Sequence, residues 1–268
     1  MRVAKDETTY SLLEGEALTV LHERGELRLT PGAPVRVSTG RKLEAVIFDL
    51  DGVLVDTASF HYECWKAVAD EEGIAVDPSV NERLKGVDRM TSLDIVLERA
   101  SRPYSADERA ALAARKNRLY FERIERLTPE ALLPGIESFL TEIKAAGLKT
   151  AIASASRNAP LVVERLGIGA YFDAIVDVGR IAKGKPDPEI FMAAAEALGV
   201  PYRNCAGVED AEAGVAAIKA AGMFAVGVGT PERMRGADWI VEGTASLRAE
   251  ELFARFQGRV PEAAGAAR

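Results

Sequence analysis

The feature that most constrains the fold is a regular alternation of short apolar runs and amphipathic segments in the second half of the chain. From Pro134 onward, strands are predicted in LKTAIAS, AIVDV, NCAGVED and MFAVGVG, with a weak one near Trp239. The intervening helices are predicted over 135–146, 158–166, 187–199 and 211–221. Strands that alternate with helices imply right-handed crossovers and a parallel sheet covered on both faces. The sequence therefore predicts an α/β domain with a doubly wound, Rossmann-like parallel sheet.

The first strand of this domain lies far upstream, in the continuous apolar run LEAVIFDL near Leu43, which is typical of a strand buried in a parallel sheet. The segment that follows is predicted to be helical over 57–71, 90–101 and 105–127, with breaks at Asp77-Pro78 and Arg102-Pro103. This block is inserted at the carboxyl end of the first strand, where open α/β sheets bind ligands. We expect a core formed by 41–56 and 130–260 and a helical cap formed by 57–129, with hinges near Asp56-Thr57 and Thr128-Pro129.

The two ends of the chain differ from the rest. Residues 1–40 alternate apolar and polar positions between glycines and prolines, which predicts a β-rich extension of short antiparallel strands. The small-residue tail PEAAGAAR, 261–268, is predicted to be frayed.

Composition excludes several classes of protein. The chain is 48% hydrophobic and 28% charged, which argues against disorder. The formal net charge of −7 argues against a nucleic-acid partner. No apolar run reaches the ~20 residues of a membrane helix, and the start MRVAKDETTY lacks the apolar centre of a secretory signal. We expect a cytoplasmic protein without a membrane partner. Cys64 and Cys205 are predicted to be buried thiols, because neither has metal-site spacing.

Polar residues follow the predicted strands where each strand ends. Asp49 and Asp51 follow the first strand in VIFDLDGVLVDT, and a lone motif of this kind would as readily be a strand that ends in an Asp-Gly turn. Three later segments add to it: IASAS with Ser154 and Ser156, GKPDP with Lys185, and GVEDAEAG with Glu209 and Asp210. Because the carboxyl ends of parallel strands share one edge of a sheet, these four segments are predicted to meet in one crevice.

The four motifs resemble, in type and order across residues 43 to about 257, those of the haloacid dehalogenase superfamily of phosphoryl-transfer enzymes. The resemblance implies that Asp49 is the nucleophile and Asp51 the general acid/base. Ser154 and Lys185 would bind phosphate. The metal end would consist of Asp49, Asp51 through its backbone carbonyl, Glu209 and Asp210.

The chemistry fits these residue types. A carboxylate is ionised at neutral pH and can attack phosphorus without an activating base. A cation must offset its repulsion from phosphate, and oxygen ligands favour Mg²⁺ over zinc. Because Asp51 must carry a proton for part of the cycle, we expect its surroundings to raise its pKa.

The cap resembles the β-phosphoglucomutase branch of this superfamily, through FHYECWKA, RLKGVDRMTSL and ARKN, together with SASRN in the core. The resemblance implies a substrate loop that contains Lys85, Gly86, Val87, Arg89 and Ser92. It implies further phosphate and sugar contacts from Thr57, His61, Trp65, Lys116, Asn117, Ala155, Ser156 and Asn158. Arg89 would clamp the phosphate that is not transferred, and His61 would link the hinge to proton transfer at Asp51. Taken singly, Lys85 and Arg89 are better explained as solvated surface residues and Trp65 as a core residue, and a lone histidine such as His61 is usually a surface or core residue. Arg157 is either a phosphate-attracting residue or a solvated surface arginine, and Asp88 and Met90 match no motif.

The resemblance implies an isomerase that interconverts β-glucose 1-phosphate and glucose 6-phosphate through phospho-Asp49 and a β-glucose 1,6-bisphosphate intermediate. A Mg²⁺-dependent sugar-phosphate phosphatase fits the core motifs equally, although the cap motifs disfavour it. A non-catalytic binding module is disfavoured because no core position is missing. We expect a monomer.

Residues 10–38 resemble the carboxyl-terminal β region of the glycoside phosphorylases that cleave maltose, trehalose or kojibiose. This resemblance implies a functional link to such a phosphorylase. The alternative is a β-rich appendage that packs on the core or on a partner.

Overall fold

The computed structural model describes residues 3–4, 7–22, 25–33, 35–38 and 42–257. The chain forms two compact units, one up to Lys42 and one from Leu43. Among the described helices, none combines the length and the apolar character that a membrane crossing requires. The predicted frayed tail lies outside the described residues.

The first unit is built from antiparallel strands, as its alternating pattern predicted. Strands β1, β2 and β5 form one sheet in that order, and β3 pairs with β4 in a two-stranded sheet. The strands are β1 (Val3–Ala4), β2 (Glu7–Tyr10), β3 (Leu18–His22), β4 (Gly25–Leu29) and β5 (Val35–Ser38). Among the side chains described in this unit, Leu29 is buried and Leu13 is 87% exposed.

The second unit contains the predicted parallel sheet. Its six strands are β6 (Ala45–Phe48), β7 (Lys149–Ile152), β8 (Ala174–Ile175), β9 (Cys205–Glu209), β10 (Phe224–Val228) and β11 (Trp239–Val241). All neighbours pair in parallel in the order β11-β10-β9-β6-β7-β8. The strand that precedes Asp49 is therefore central, with β7 and β9 on its two sides.

Helices cover both faces of this sheet. Along β6, Val46 and Phe48 belong to the hydrophobic cluster on one face, and Ala45 and Ile47 belong to the cluster on the other. The first face packs against α5 (Ile136–Ala145), α6 (Ala159–Leu166) and α9 (Ala249–Phe256), and the second against α7 (Glu189–Leu198) and α8 (Glu212–Ala220). The doubly wound α/β prediction is confirmed, whereas α9 was not predicted.

The inserted segment is helical and has its own hydrophobic centre. It consists of α1 (Ala58–Glu71), α2 (Pro78–Leu84), α3 (Arg89–Leu97) and α4 (Ala106–Ile124). Trp65 and Leu93 are almost fully buried within it. A capping box between Ser105 and Glu108 begins α4.

Helix α2 was missed because Asp77-Pro78 was interpreted only as a break. In the structure, Asp77 is the N-cap: its carboxylate accepts the backbone N–H groups of Ser79 and Val80, and Pro78 is the first helical residue. Proline suits that position because its φ is preset and no N–H is needed there. The break in the helical pattern is therefore the start of α2.

Candidate active site

A cavity of about 550 Å³ lies between the helical segment and the carboxyl edge of the sheet. The predicted site residues that line it are Asp49, Asp51, His61, Trp65, Lys85, Gly86, Val87, Arg89, Ser92, Lys116, Ala155, Ser156, Asn158 and Lys185. Thr57, Asn117, Ser154, Glu209 and Asp210 lie against these residues. The sheet edge and the cap therefore contribute opposite walls of one cavity.

The sheet-edge wall is centred on a buried ion triad. Lys185 Nζ lies 2.5 Å from Asp49 Oδ1 and 2.7 Å from Glu209 Oε2, and all three side chains are at most 5% exposed. Burial raises the pKa of Asp49 to about 6, although the charge of Lys185 opposes this rise. The two carboxylates hold the pKa of Lys185 above its usual value despite burial. At neutral pH, Asp49 is therefore a buried carboxylate and Lys185 a buried ammonium.

Backbone pairing fixes the positions of these groups. The Asp49 N–H donates to the Val208 carbonyl over 2.9 Å, so the ladder between β6 and β9 continues as far as Asp49. Glu209 ends β9, and its Oε1 accepts the N–H groups of Asp210 and Ala211, each over 3.1 Å. A Cβ at Gly214 would come within 1.9 Å of the Glu209 carboxylate, so a glycine is needed where α8 passes this side chain.

The carboxylates of Asp49, Glu209 and Asp210 form a cluster that fits a metal cation. One oxygen from each lies within 4.8 Å of the others. Burial, with repulsion from neighbouring carboxylates, raises the pKa of Glu209 and of Asp210 to about 7. Gly52 makes room for this cluster: its φ is +86°, and a Cβ there would lie 2.4 Å from Asp210 Oδ2. Three crowded acidic oxygens with one nearby ammonium are a donor set that a divalent cation would stabilise.

The side chain of Asp51 contacts residues at the start of the helical segment rather than that cluster. It accepts a hydrogen bond from the Thr57 hydroxyl, and its Oδ1 lies 3.5 Å from His61 Nε2. His61 Nδ1 in turn lies 2.5 Å from Lys116 Nζ. An ammonium can only donate, so Nδ1 accepts and the ring proton is on Nε2, facing Asp51.

The expectation that the surroundings of Asp51 raise its pKa is wrong for this arrangement. Burial acts to raise it, but the contacts with His61 and Thr57 and the charge of Lys116 outweigh burial and lower the pKa of Asp51 to about 2. Burial and the charge of Lys116 lower the pKa of His61, so the ring is largely neutral at pH 7. The ring N–H of His61 faces the Asp51 carboxylate, and Lys116 adds a positive charge nearby.

Tyr120 belongs to the same group of residues and was missed in the sequence. Its hydroxyl lies 3.5 Å from Asp51 Oδ1, and its ring centroid lies 4.1 Å from that of His61. Lys116 Nζ is 4.6 Å from the centroid of the Tyr120 ring. The usable signal was the spacing of four between Lys116 and Tyr120 on one helix, which places both on the same face.

The cap wall is rich in cations. Arg89 Nη2 donates to Asn117 Oδ1 over 2.7 Å, and the same oxygen accepts Asn158 Nδ2 over 3.0 Å, which links the cap to the core. Arg157, on the core loop after β7, also lines the cavity; burial and, to a smaller extent, the charge of Arg157 lower the pKa of Arg89. Two guanidinium groups close enough to repel each other at a cavity wall form a site for an anion.

Asp88 and Met90, the neighbours of Arg89 that match no motif, have identifiable surroundings in the structure. Asp88 is the N-cap of α3, and its Oδ1 accepts the N–H groups of Met90 and Thr91. Ser92 Oγ donates to the Asp88 carbonyl over 2.9 Å. Asp88 therefore fixes the helix that begins with Arg89, while Met90 lines the cavity and is 43% exposed.

Three further predicted residues, Ser154, Trp65 and Gly86, are closely packed in the structure. Ser154 is 2% exposed, and its Oγ accepts the N–H of Ser156 over 3.1 Å. Trp65 is 1% exposed in the centre of the cap, with Lys116 Nζ 5.4 Å from its ring. Gly86 has φ +71°, and a Cβ there would lie 3.1 Å from the Cβ of Ala211, so the cap loop lies against the loop that follows β9.

Comparisons with known proteins agree with this geometry. The family model of haloacid dehalogenase-like hydrolases matches residues 43–222. A β-phosphoglucomutase from Bacillus subtilis is 49% identical over 217 residues, which are 80% of this chain and 96% of that protein. A phosphorylated carbohydrates phosphatase from Thermotoga maritima is 34% identical and covers 68% of this chain and 82% of its own length.

A solved structure is also similar. The crystal structure of β-phosphoglucomutase from Clostridium difficile superposes with a TM-score of 0.79 at 43% identity, over 81% of this chain and 98% of that one. The family match begins at residue 43 and so does not extend to the segment 10–38, whose resemblance to glycoside phosphorylases stays a prediction. The chain belongs to the haloacid dehalogenase-like hydrolase family and, by these similarities, to its β-phosphoglucomutase branch.

Proposed function

We propose that this protein is a β-phosphoglucomutase, which interconverts β-D-glucose 1-phosphate and D-glucose 6-phosphate. The observation that carries the proposal is the opposed charge of the two cavity walls. Asp49, Lys185 and Asp210 stand at the sheet edge, whereas Arg89 lines the cavity from the cap and Arg157 from the core loop that follows β7. A substrate that carries two phosphates during the reaction needs one site for transfer and another for retention, and this cavity offers both.

Asp49 is the proposed nucleophile. With a pKa of about 6 it is ionised at neutral pH, and Lys185 holds one of its oxygens so that the other can attack phosphorus. The Asp49 carboxylate forms a bond to phosphorus as the bond from phosphorus to the sugar oxygen breaks. The Lys185 ammonium and the Ser154 hydroxyl are proposed to bind the phosphoryl oxygens, where charge accumulates in the transition state.

The metal cation is proposed to be Mg²⁺, held by the carboxylates of Asp49, Glu209 and Asp210 and by the backbone carbonyl of Asp51. Oxygen donors alone suit magnesium. When bound, it supplies positive charge that offsets the repulsion between Asp49 and the phosphate.

Asp51 is the proposed general acid and base. In the arrangement described, it is an ionised carboxylate held by Thr57 and faced by the ring proton of His61. An ionised Asp51 can accept the proton of an attacking sugar hydroxyl and can later donate it to a leaving oxygen. Thr57 and His61 lie at the start of the cap, so a movement of the cap changes the contacts that set the proton affinity of Asp51.

Arg89 and Arg157 are the proposed anchor for the phosphate that is not transferred. The guanidinium of Arg89 binds phosphate through two parallel N–H donors. Asn117 and Asn158 add polar groups beside it. A β-glucose 1,6-bisphosphate intermediate, held here by one phosphate, presents the other to Asp49 and then exchanges the two.

The testing experiment supplies β-glucose 1-phosphate with a trace of β-glucose 1,6-bisphosphate and Mg²⁺, and it measures both glucose 6-phosphate and inorganic phosphate. We expect glucose 6-phosphate as the main product and no turnover of the α anomer. The similarity to a carbohydrate phosphatase makes hydrolysis the second candidate function. Phosphate release without glucose 6-phosphate would assign the protein to that function.

Two further parts of the proposal concern partners. We propose that the enzyme acts as a monomer, because both walls of the cavity come from one chain. The segment 10–38 is proposed to reflect a functional link to a glycoside phosphorylase that releases β-glucose 1-phosphate. Size-exclusion chromatography with light scattering tests the first, and co-purification with such a phosphorylase tests the second.

A further inference from the structure

Lys185 is delivered to the site by the long connection between β8 and α7. After a short 3₁₀ helix over Val178–Arg180, this loop is irregular up to α7, and residues 182–184 within it are exposed, although the Lys185 side chain is buried. A short internal turn, in which the Asp187 N–H donates to the Gly184 carbonyl over 3.0 Å, shapes its second half. An exposed loop that must place a buried ammonium within a few tenths of an ångström needs an external support.

Glu189 provides that support. Its two carboxylate oxygens accept the N–H groups of Ala182 and Lys183, each over 2.8 Å. Both bonds are charge-assisted, and together they fix the orientation of two successive peptide groups just before Lys185. Glu189 is the first residue of α7, where a negative charge is favoured by the helix dipole.

Glu189 is itself fixed at its own position. Its N–H donates to Asp187 Oδ1 over 3.0 Å, and the next residue, Ile190, is buried in the hydrophobic cluster on this face of the sheet. Glu189 is half-buried, whereas Ala182, Gly184 and Lys185 all line the cavity. The chain of contacts therefore runs from the core through Glu189 to the loop and then to the group that meets the phosphate.

We infer that Glu189 is a positioning residue for phosphoryl transfer, acting through the loop on Lys185; the inference rests on the proposed function. Removing one of its two hydrogen bonds lets the peptide groups at Ala182 and Lys183 turn. Lys185 Nζ then occupies several positions and is found less often between Asp49 and Glu209. Displacements of this size reduce transfer rates by about tenfold to a hundredfold.

The test uses the full-length protein with Mg²⁺ and acetyl phosphate, a small donor that makes no use of the cap anchor. Quenched samples are analysed by mass spectrometry for phosphate on Asp49, and amide hydrogen exchange is followed in parallel. We expect Glu189→Gln to slow phosphorylation by about tenfold, because glutamine keeps one acceptor oxygen but presents an NH₂ group to the other N–H. Glu189→Ala should be slower still, and Glu189→Asp, which keeps the charge and both oxygens, should recover part of the rate.

The matched control is Glu196→Gln on the same helix, whose carboxylate binds the Tyr202 hydroxyl instead of the loop. It should leave the phosphorylation rate unchanged. Amide exchange in Glu189→Gln should accelerate over 182–185 but not in β9.

Three outcomes overturn the inference. The first is a phosphorylation rate within about twofold of wild type, and the second is faster exchange in β9 to the same extent, which would mean a general loss of stability. The third is a wild-type protein that takes no label on Asp49. This last result contradicts the proposed function as well, and the wild-type reference identifies it.

Discussion

The two walls of the cavity carry buried charges of opposite sign. At the sheet edge, Asp49, Glu209 and Asp210 are buried around one ammonium, and burial raises the pKa of each carboxyl group. On the cap side, burial lowers the pKa of Arg89 and that of Lys116, the latter to about 8. The sheet-edge wall has more carboxylates than its one ammonium can balance, and the cap wall has more cations than carboxylates among the described residues that line it.

The difference shows what each wall is built to receive. Desolvation disfavours whichever charge a wall carries, so each wall is stabilised by a ligand of the opposite sign. A cation fits the sheet edge, and a phosphate fits the cap. Asp51 lies where the two walls meet. Its side chain contacts Thr57 and His61 at the start of the cap, although Asp51 is only two residues from Asp49 in sequence.

The largest expected effect comes from Asp51, where the walls meet. Asp51→Asn removes the group that carries the proton but keeps the backbone carbonyl and the shape of the side chain. We expect kcat for the conversion of β-glucose 1-phosphate to fall by about 10²- to 10⁴-fold, while Mg²⁺ affinity, measured by calorimetry, stays near the wild-type value. Near wild-type turnover would remove Asp51 from the mechanism.

The next largest effect distinguishes the function of the cap wall from that of the sheet-edge wall. Arg89→Ala removes a two-pronged phosphate contact on the cap and leaves the sheet edge intact. We expect the conversion of β-glucose 1-phosphate to fall by about 10- to 100-fold, with little change in the labelling of Asp49 by acetyl phosphate. Arg83→Ala is the control, because Arg83 pairs with Glu98 on the surface of the cap. Equal losses with both phosphate donors would contradict a role in anchoring the second phosphate.

Magnesium and pH test the sheet-edge wall alone. In the metal-free protein, Glu209 and Asp210 have raised pKa values of about 7. The folded state then binds more protons than the unfolded chain between about pH 4 and pH 7, so these groups reduce the free energy of unfolding as pH rises through that window. Mg²⁺ binds the ionised carboxylates, and the rise in Tm that it causes should be larger at about pH 8 than at about pH 5.5.

Differential scanning calorimetry with and without Mg²⁺ at the two pH values measures this difference. Asp210→Asn is the matched variant and should lose most of the rise in Tm at both values. A rise that is independent of pH in the wild-type protein would contradict the raised pKa values.

The smallest effect concerns the first unit of the chain. Both walls are formed by residues after Leu43, within the second compact unit. A protein that begins at Arg41 should therefore fold and retain kcat/KM within about twofold. A larger loss would show that the β-rich extension contributes to the reaction.

The positions of Asp49 and Glu209 could be predicted because the ends of parallel strands meet at one edge whatever the packing details. The role of Asp77-Pro78 could have been read from helix-capping chemistry. The pKa of Asp51 could not, because it depends on how closely Thr57, His61 and Lys116 approach once the cap is docked. Tyr120 and Glu189 escaped notice for a similar reason, since a tyrosine on a helix and a glutamate at a helix start are common without any link to a site.

By itself, the order of apolar runs and amphipathic segments determined that this protein would have a parallel sheet with a helical insertion after its first strand. The periodicity of apolar residues and the succession of segments along the chain can be read from the sequence alone, and they predict which loops lie at the carboxyl edge of the sheet. Only the tertiary structure decided that the side chain of Asp51 faces Thr57 and His61, that Arg89 from the cap and Arg157 from the core line one cavity, and that Glu189 holds the loop of Lys185. These are distances between segments far apart in sequence, and packing sets them.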